Sequence, residues 1–229
     1  MARETLDRKI RHLLDEILVL DSMVESSTNE AVDALNRRDL KLAKKVYDFD
    51  KRINARRFEL ENDVIVTIAT QQPIMAGDLR MAASIFEVVG ELERMGDYAK
   101  GIAKICMLIG EQPHIKPPAG ITKMGELVVD MLHRAINAFV NLDVDTARAI
   151  PFEDAQVDAL YYQVYQELIG VIMENPAATE QANYLMWASH NLERMADRVT
   201  NICERTIYSV TGKLEELNGS DDEQLNLAG

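Results

Sequence analysis

Apolar residues recur every three to four positions over nearly the whole chain. In "LERMGDYAKGIAKIC" the series is Leu92, Met95, Gly96, Ala99, Ile102, Ala103 and Cys106, which is one face of a helix. In the second half the same series reads Leu192, Met195, Ala196, Val199, Ile202 and Cys203. No run of period two competes with it, and Asn-Gly, a strong hairpin signal, occurs only in the polar tail. The breaks are "QQP" at 71–73, "EQPHIKPPAG" at 111–120 and "ENPAATE" at 174–180, with softer turns at "NRRD" from Asn36 and "NLDVD" from Asn141. The pattern predicts six helices, over 4–36, 39–70, 78–110, 120–141, 143–173 and 178–216, and therefore an all-α fold. The segment "NGSDDEQLNLAG" at 218–229 has no such period and is expected to be a disordered tail.

The six helices read as a duplication. "LERM-x-D" begins at Leu92 and again at Leu192, on the third helix of each half. One helix earlier, "FDKRIN" from Phe49 lies over "EDAQVD" from Glu153. Two tandem, related three-helix bundles follow, with long antiparallel helices and short connections, over 1–112 and 119–217.

The repeated acids set the chemical question. A helix advances about 100° per residue, so Glu93 and Asp97 fall at the edge of the stripe centred on Leu92. Glu193 and Asp197 take the same angles, and Asn201 continues their line. On the fifth helix Asp154 and Asp158 fall among Val157, Tyr161, Tyr165, Leu168 and Ile169, where an unpartnered carboxylate is costly to bury. A single Glu-x-x-x-Asp is ordinarily a solvated helix face, and Arg94 or Arg194 beside it makes surface pairs of small worth. Three features argue otherwise: the motif is duplicated, a second i,i+4 polar pair accompanies it on the preceding helix, and Asp154 and Asp158 fall on an apolar face. Oxygen ligands at this spacing on facing helices suit hard or borderline cations. On the residues alone, a metal site and a solvated acidic surface both stand.

Composition narrows the function. The 229 residues carry a formal net charge of −13, which argues against a general nucleic-acid binder. The charged start "MARETLDRKIRHLLDE" is not that of a signal peptide, and no uncharged apolar run approaches the roughly 20 residues that span a bilayer. Cys106 and Cys203 form no CxxC, which fits a reducing cytoplasm. His12, His114, His133 and His190 form no HExxH. His190 and Glu193 run His-x-x-Glu, the reverse of the di-iron Glu-x-x-His, so His190 is expected to be a core or rim residue. There is no P-loop and no nucleophile elbow. Met81, Met95, Met107, Met186 and Met195 are spaced for core filling. Residues 37–57 hold nine of the 25 basic residues and three acids. Arg37, Arg38, Lys44 and Lys45 form either a solvated face or a docking face for an acidic partner or an anionic membrane.

"ELERMGDYAKGIAK" and "NLERMADRVTNICE", with "DLR" at Asp78, resemble the PhoU family of phosphate transport regulators, over about residues 4–216. The resemblance implies two PhoU-like, spectrin-repeat-like bundles side by side, and metal clusters held by E(D)xxxD motifs. Carried over, the first cluster uses Asp50, Asn54, Glu93 and Asp97. The second uses Asp154, Asp158, Glu193, Asp197 and Asn201. The ion would be iron, zinc, magnesium or manganese. Gly101 stands where the family pattern has Asn, and Asn54 where the second half has Asp158. The implied role is that of a cytoplasmic, non-enzymatic homodimer, peripheral to the membrane. It would link the ATPase of a phosphate ABC transporter to a phosphate-sensing histidine kinase and repress phosphate uptake and the phosphate regulon. The alternatives are a carboxylate-bridged di-metal enzyme and a metal-free helical scaffold.

Overall fold

A computed structural model describes residues 2–110 and 115–217. Among them there is no strand. The helices are α1 (Ala2–Arg37), α2 (Leu40–Thr70), α3 (Ala76–Ile109), α4 (Ala119–Asn141), α5 (Val144–Ala149), α6 (Asp154–Glu174) and α7 (Thr179–Thr211). The expected tail at 218–229, and Glu111 to His114 of the second break, lie outside the described residues.

The duplication is written into the turns. Arg38 closes α1 at φ 55° and Leu142 closes α4 at φ 58°. Each is followed by an aspartate that caps the next helix, Asp39 at φ −84°, ψ 90° and Asp143 at φ −85°, ψ 92°. The Asp39 carboxylate accepts from the backbone N–H of Lys41 and Leu42, and that of Asp143 from Thr146. Short polar side chains satisfy the orphan donors of a helix N-terminus in this way.

Two expectations need correction. The predicted helix 143–173 is three pieces: α5, a 3-10 turn over Ile150–Glu153, and α6. Pro151 lacks the N–H and its ring crowds the preceding turn, so it sits at the start of the tighter turn. The predicted helix 178–216 ends at Thr211, because Gly212 at φ 73° supplies a left-handed cap.

Four helices form the centre. α1 packs on α3, α3 on α7, α7 on α4 and α4 on α1, while α2 covers α1 and α3, and α6 covers α4 and α7. α2 has no contact with the second half, nor α6 with the first. α3 and α7 cross antiparallel, with Glu91 reaching Arg198 and Gly101 lying against Asn191. α1 and α4 do likewise, with Asn36 bonded to Thr122 and Glu25 beside His133. A twofold axis perpendicular to the helices would relate the halves with both crossings antiparallel, as they are. One continuous core runs through all of this, with Ile17, Leu92, Met95, Phe139, Leu192 and Met195 fully buried. Met81, Met107 and Met186 pack against its edge, as their spacing suggested.

Candidate functional site: two unequal acidic clusters

In the first half, α2 and α3 bring Asp50, Asn54, Glu93 and Asp97 together with two cations of the chain itself. Lys100 Nζ lies 2.7 Å from Asp50 Oδ2 and 3.4 Å from Asp97 Oδ1. Asn54 Nδ2 donates to the same Asp50 oxygen at 3.1 Å. Arg57 Nη1 lies 3.0 Å from Glu93 Oε2, and its Nε donates to Glu61 at 2.8 Å. Asp50 and Glu93 are buried, whereas Asp97 is half exposed. Asp50 Oδ1 is buried with no hydrogen-bond partner. Hydrogen bonding to Asp50, more than burial opposes it, raises the Lys100 pKa, so the ammonium is fixed there.

In the second half, α6 and α7 carry Asp154, Asp158, Glu193, Asp197 and Asn201. The position of Lys100 is taken by Thr200 and that of Arg57 by Tyr161. Arg194 and Arg198 stand at the cluster's margin, 3.5 and 3.9 Å from Asp197 Oδ2, and Arg198 is shared with Glu91. Burial, then the charge of Asp197, pushes Glu193 up to about 7; Arg194 opposes this and Asp158 adds to it. Glu193 Oε2 is buried without a hydrogen-bond partner, although His190 Nδ1 is 3.1 Å away. His190 is therefore a rim residue, half exposed, beside Tyr161 at 6.1 Å between ring centroids.

The implied metal fits the two clusters differently. In the second, half-buried Glu193 faces Asp197 and Asp158, with Arg194 and Arg198 at the margin and Thr200 where the first half has Lys100. No three carboxylates of this cluster bring ligand atoms within 4.8 Å of one another, so a cation held by Asp154, Asp158, Glu193 and Asp197, with Asn201 as an amide ligand, would have to draw α6 and α7 side chains together. In the first, Lys100 already supplies the positive charge between Asp50 and Asp97, so the donor set does not fit a metal as it stands. The expectation that Asp158 lies among buried apolar residues is also corrected. Only Val157, Val164 and Leu168 of α6 are buried and Asp158 is exposed, because this outer helix meets the core along a narrow strip.

Gly101 has a steric reason. A Cβ there would lie 2.8 Å from Asn191 Nδ2, so the asparagine of the family pattern would require the Asn191 side chain to move aside. The basic stretch is largely satisfied within the chain. Arg37 pairs with Asp33, Lys44 with Asp48 and Lys45 with Glu30.

Both halves match a known family. The profile described as PhoU domain matches residues 6–106 and 121–206. The chain is similar to the phosphate-specific transport system accessory protein PhoU homolog of Clostridium acetobutylicum, 34% identical over 95% of this chain and 100% of the relative. It is 30% identical to the accessory protein PhoU of Escherichia coli K12, over 96% of this chain and 91% of that one. The crystal structure of the phosphate transport system regulatory protein PhoU from Streptococcus pneumoniae superposes with a TM-score of 0.86 at 30% identity, over 93% of this chain and 100% of that one. PhoU from Pseudomonas aeruginosa superposes at 0.83 and 32% identity, over 90% and 99%.

Proposed function

This chain belongs to the PhoU family, and from that membership we propose that it is a metal-holding regulatory adaptor of phosphate transport. Its role is that of an accessory protein of a phosphate-specific transport system. In the finer reading, it represses phosphate uptake and phosphate-starvation genes when phosphate is plentiful. It does so by linking the ATPase of the transporter to a phosphate-sensing histidine kinase, and it works as a regulator rather than an enzyme. The observation that carries this is the match of both halves to one domain family, with full-length relatives named for that transport system.

Two features fit such an adaptor. Among the described residues no helix is long and apolar enough to cross a membrane, so contact with a transporter is through a surface. Arg37, Arg38, Lys44 and Lys45 lie at the α1–α2 end, where a docking partner with acidic character would exchange its carboxylates for the chain's own. The ion, of the iron, zinc, magnesium or manganese class, belongs in the second cluster, where Glu193 Oε2 is buried without a hydrogen bond.

Expression in a bacterial strain lacking its own PhoU protein tests the reading. Repression of phosphate-starvation genes in high phosphate should return, and serine at Arg37, Arg38, Lys44 and Lys45 should weaken it. A folded, expressed chain that leaves those genes active overturns the regulatory role.

A further inference from the structure

A third cluster lies where the two halves meet, away from both E(D)xxxD sites. Asp21 and Glu25 project from α1 at i,i+4, and His133 comes from α4 of the other half. One ligand atom of each lies within 4.8 Å of the others, the only such trio of acids and histidines among the described residues. His133 Nδ1 is 3.0 Å from Glu25 Oε1. Around them Glu25, Asn29, Glu126, Val129, Asp130 and His133 line an open groove.

Asp21 is the anomaly. It is 4% exposed, its Oδ1 has no hydrogen-bond partner, and among the described residues no lysine or arginine forms an ion pair with it. Its flanking residues Leu20 and Val24 belong to the core. A carboxylate buried without a partner is costly, and such groups are retained where something neutralises them. Folding alone supplies no reason for it. The turns align the halves with an offset that puts Gly125 at the position of Asp21, Val129 at that of Glu25, and Asn29 at that of His133. The other half thus solves the same packing problem without a buried acid.

We propose that Asp21, Glu25 and His133 form a binding site for a divalent cation of the zinc class, which clasps α1 of one half to α4 of the other. The donor set is two carboxylate oxygens and one imidazole nitrogen, which suits a borderline cation better than calcium or magnesium. Three protein ligands leave one position for water, and Asn29, Glu126 and Asp130 stand near enough along the groove to hold that water or the ligands. The clasp stands on its own residues and does not depend on the E(D)xxxD clusters or on the regulatory reading.

The full chain, stripped of metal, is dialysed against micromolar zinc, and zinc per chain and melting temperature are measured. His133→Asn, which copies the residue of the other half, and Asp21→Asn, which keeps the shape, are compared with the parent. Each should bind one zinc fewer and lose part of the zinc-dependent rise in melting temperature, with affinity at this site down more than about tenfold. Asp21→Asn should melt no lower than the parent without metal, since it removes no favourable partner, whereas His133→Asn gives up the contact with Glu25 and is read by its zinc content. Unchanged zinc content in both variants, or a parent site that fills only at millimolar zinc, overturns the proposal. So does a metal-free Asp21→Asn chain that is markedly destabilised, because Asp21 would then be serving the fold.

Discussion

Lys100 Nζ sits 2.7 Å from Asp50 Oδ2, bringing a positive charge of the chain's own into the acidic cluster at the position where the second half has Thr200. A buried carboxylate requires a counter-charge, and an internal ammonium meets that requirement without an ion from solution. Lys100→Thr, which copies Thr200, should lower the melting temperature of the metal-free protein and create a metal site. The gain should appear as about one more iron or zinc per chain after dialysis and desalting. No added metal in Lys100→Thr, with the fold intact, would sink the view that the lysine stands in for an ion.

The same asymmetry ranks the two clusters. Asp197 belongs to a set of four carboxylates with two arginines at its margin, whereas Asp97 belongs to a set of three into which Lys100 and Arg57 already reach. Asp197→Ala should therefore lower retained metal and the metal-dependent part of the melting temperature more than Asp97→Ala does. Titration with chelator while metal per chain is counted decides it. Equal losses in the two variants would mean that ligand charge does not set the order of filling.

Gly96 lies so close to Ile53 that an added Cβ would be 3.1 Å from two of its carbons. The second half has Ala196 and Val157 at these positions, all buried. Gly96→Ala should gain helix propensity yet lose more to overpacking, by about 1 kcal/mol net. Ile53→Val alone should cost about 1 kcal/mol. Together they should be better than additive by about 1 kcal/mol, which a double-mutant cycle in urea would measure. Strict additivity would show that Ile53 shifts aside without cost.

Asp78 links acid stability to the start of α3. Burial pushes its carboxyl up, but the hydrogen bond from Arg3 at 2.6 Å, that from the Met75 N–H at 3.1 Å and the Arg3 charge outweigh it, leaving it below the ordinary aspartate value. A depressed folded pKa contributes stability that is present above the unfolded value and is lost as pH falls through the folded one. Asp78→Asn should thus be less stable than the parent at pH 7, by about 1 kcal/mol for a lost first-turn acceptor. The gap should close below about pH 4. Urea unfolding of both at several pH values measures the gap, and one that is constant down to pH 2 would assign the effect to shape and not charge.

Much of this was legible in the chain and some was not. Helix identity followed from the period of three to four, and the capped turns were marked by Asp39 and Asp143. Pro151 also stood in plain view, yet the apolar period runs through it, and only the folded chain shows the break. In the clusters, the acids advertised themselves by repetition. Lys100 did not, although it stands three residues after Asp97 on the same face, because a lysine on a helix is ordinarily solvated. Asp21 and Glu25 were visible as an acidic i,i+4 pair inside an apolar run. His133 was not visible as their partner, since it lies 108 residues from Glu25 and meets it only when the halves pack.

The contact between Gly101 and Asn191 reaches beyond its own site. In the antiparallel crossing of α3 and α7, two copies of the second half would set the counterpart of Asn201 against Asn191, where a Cβ already comes within 2.8 Å of the amide nitrogen. Two copies of the first half would place Tyr98 where Arg198 now meets Glu91, a buried carboxylate, and strip it of that partner. Each half therefore meets its own duplicate on worse terms than it meets the other, and residues that look like interchangeable repeats in the sequence behave as lock and key in the fold.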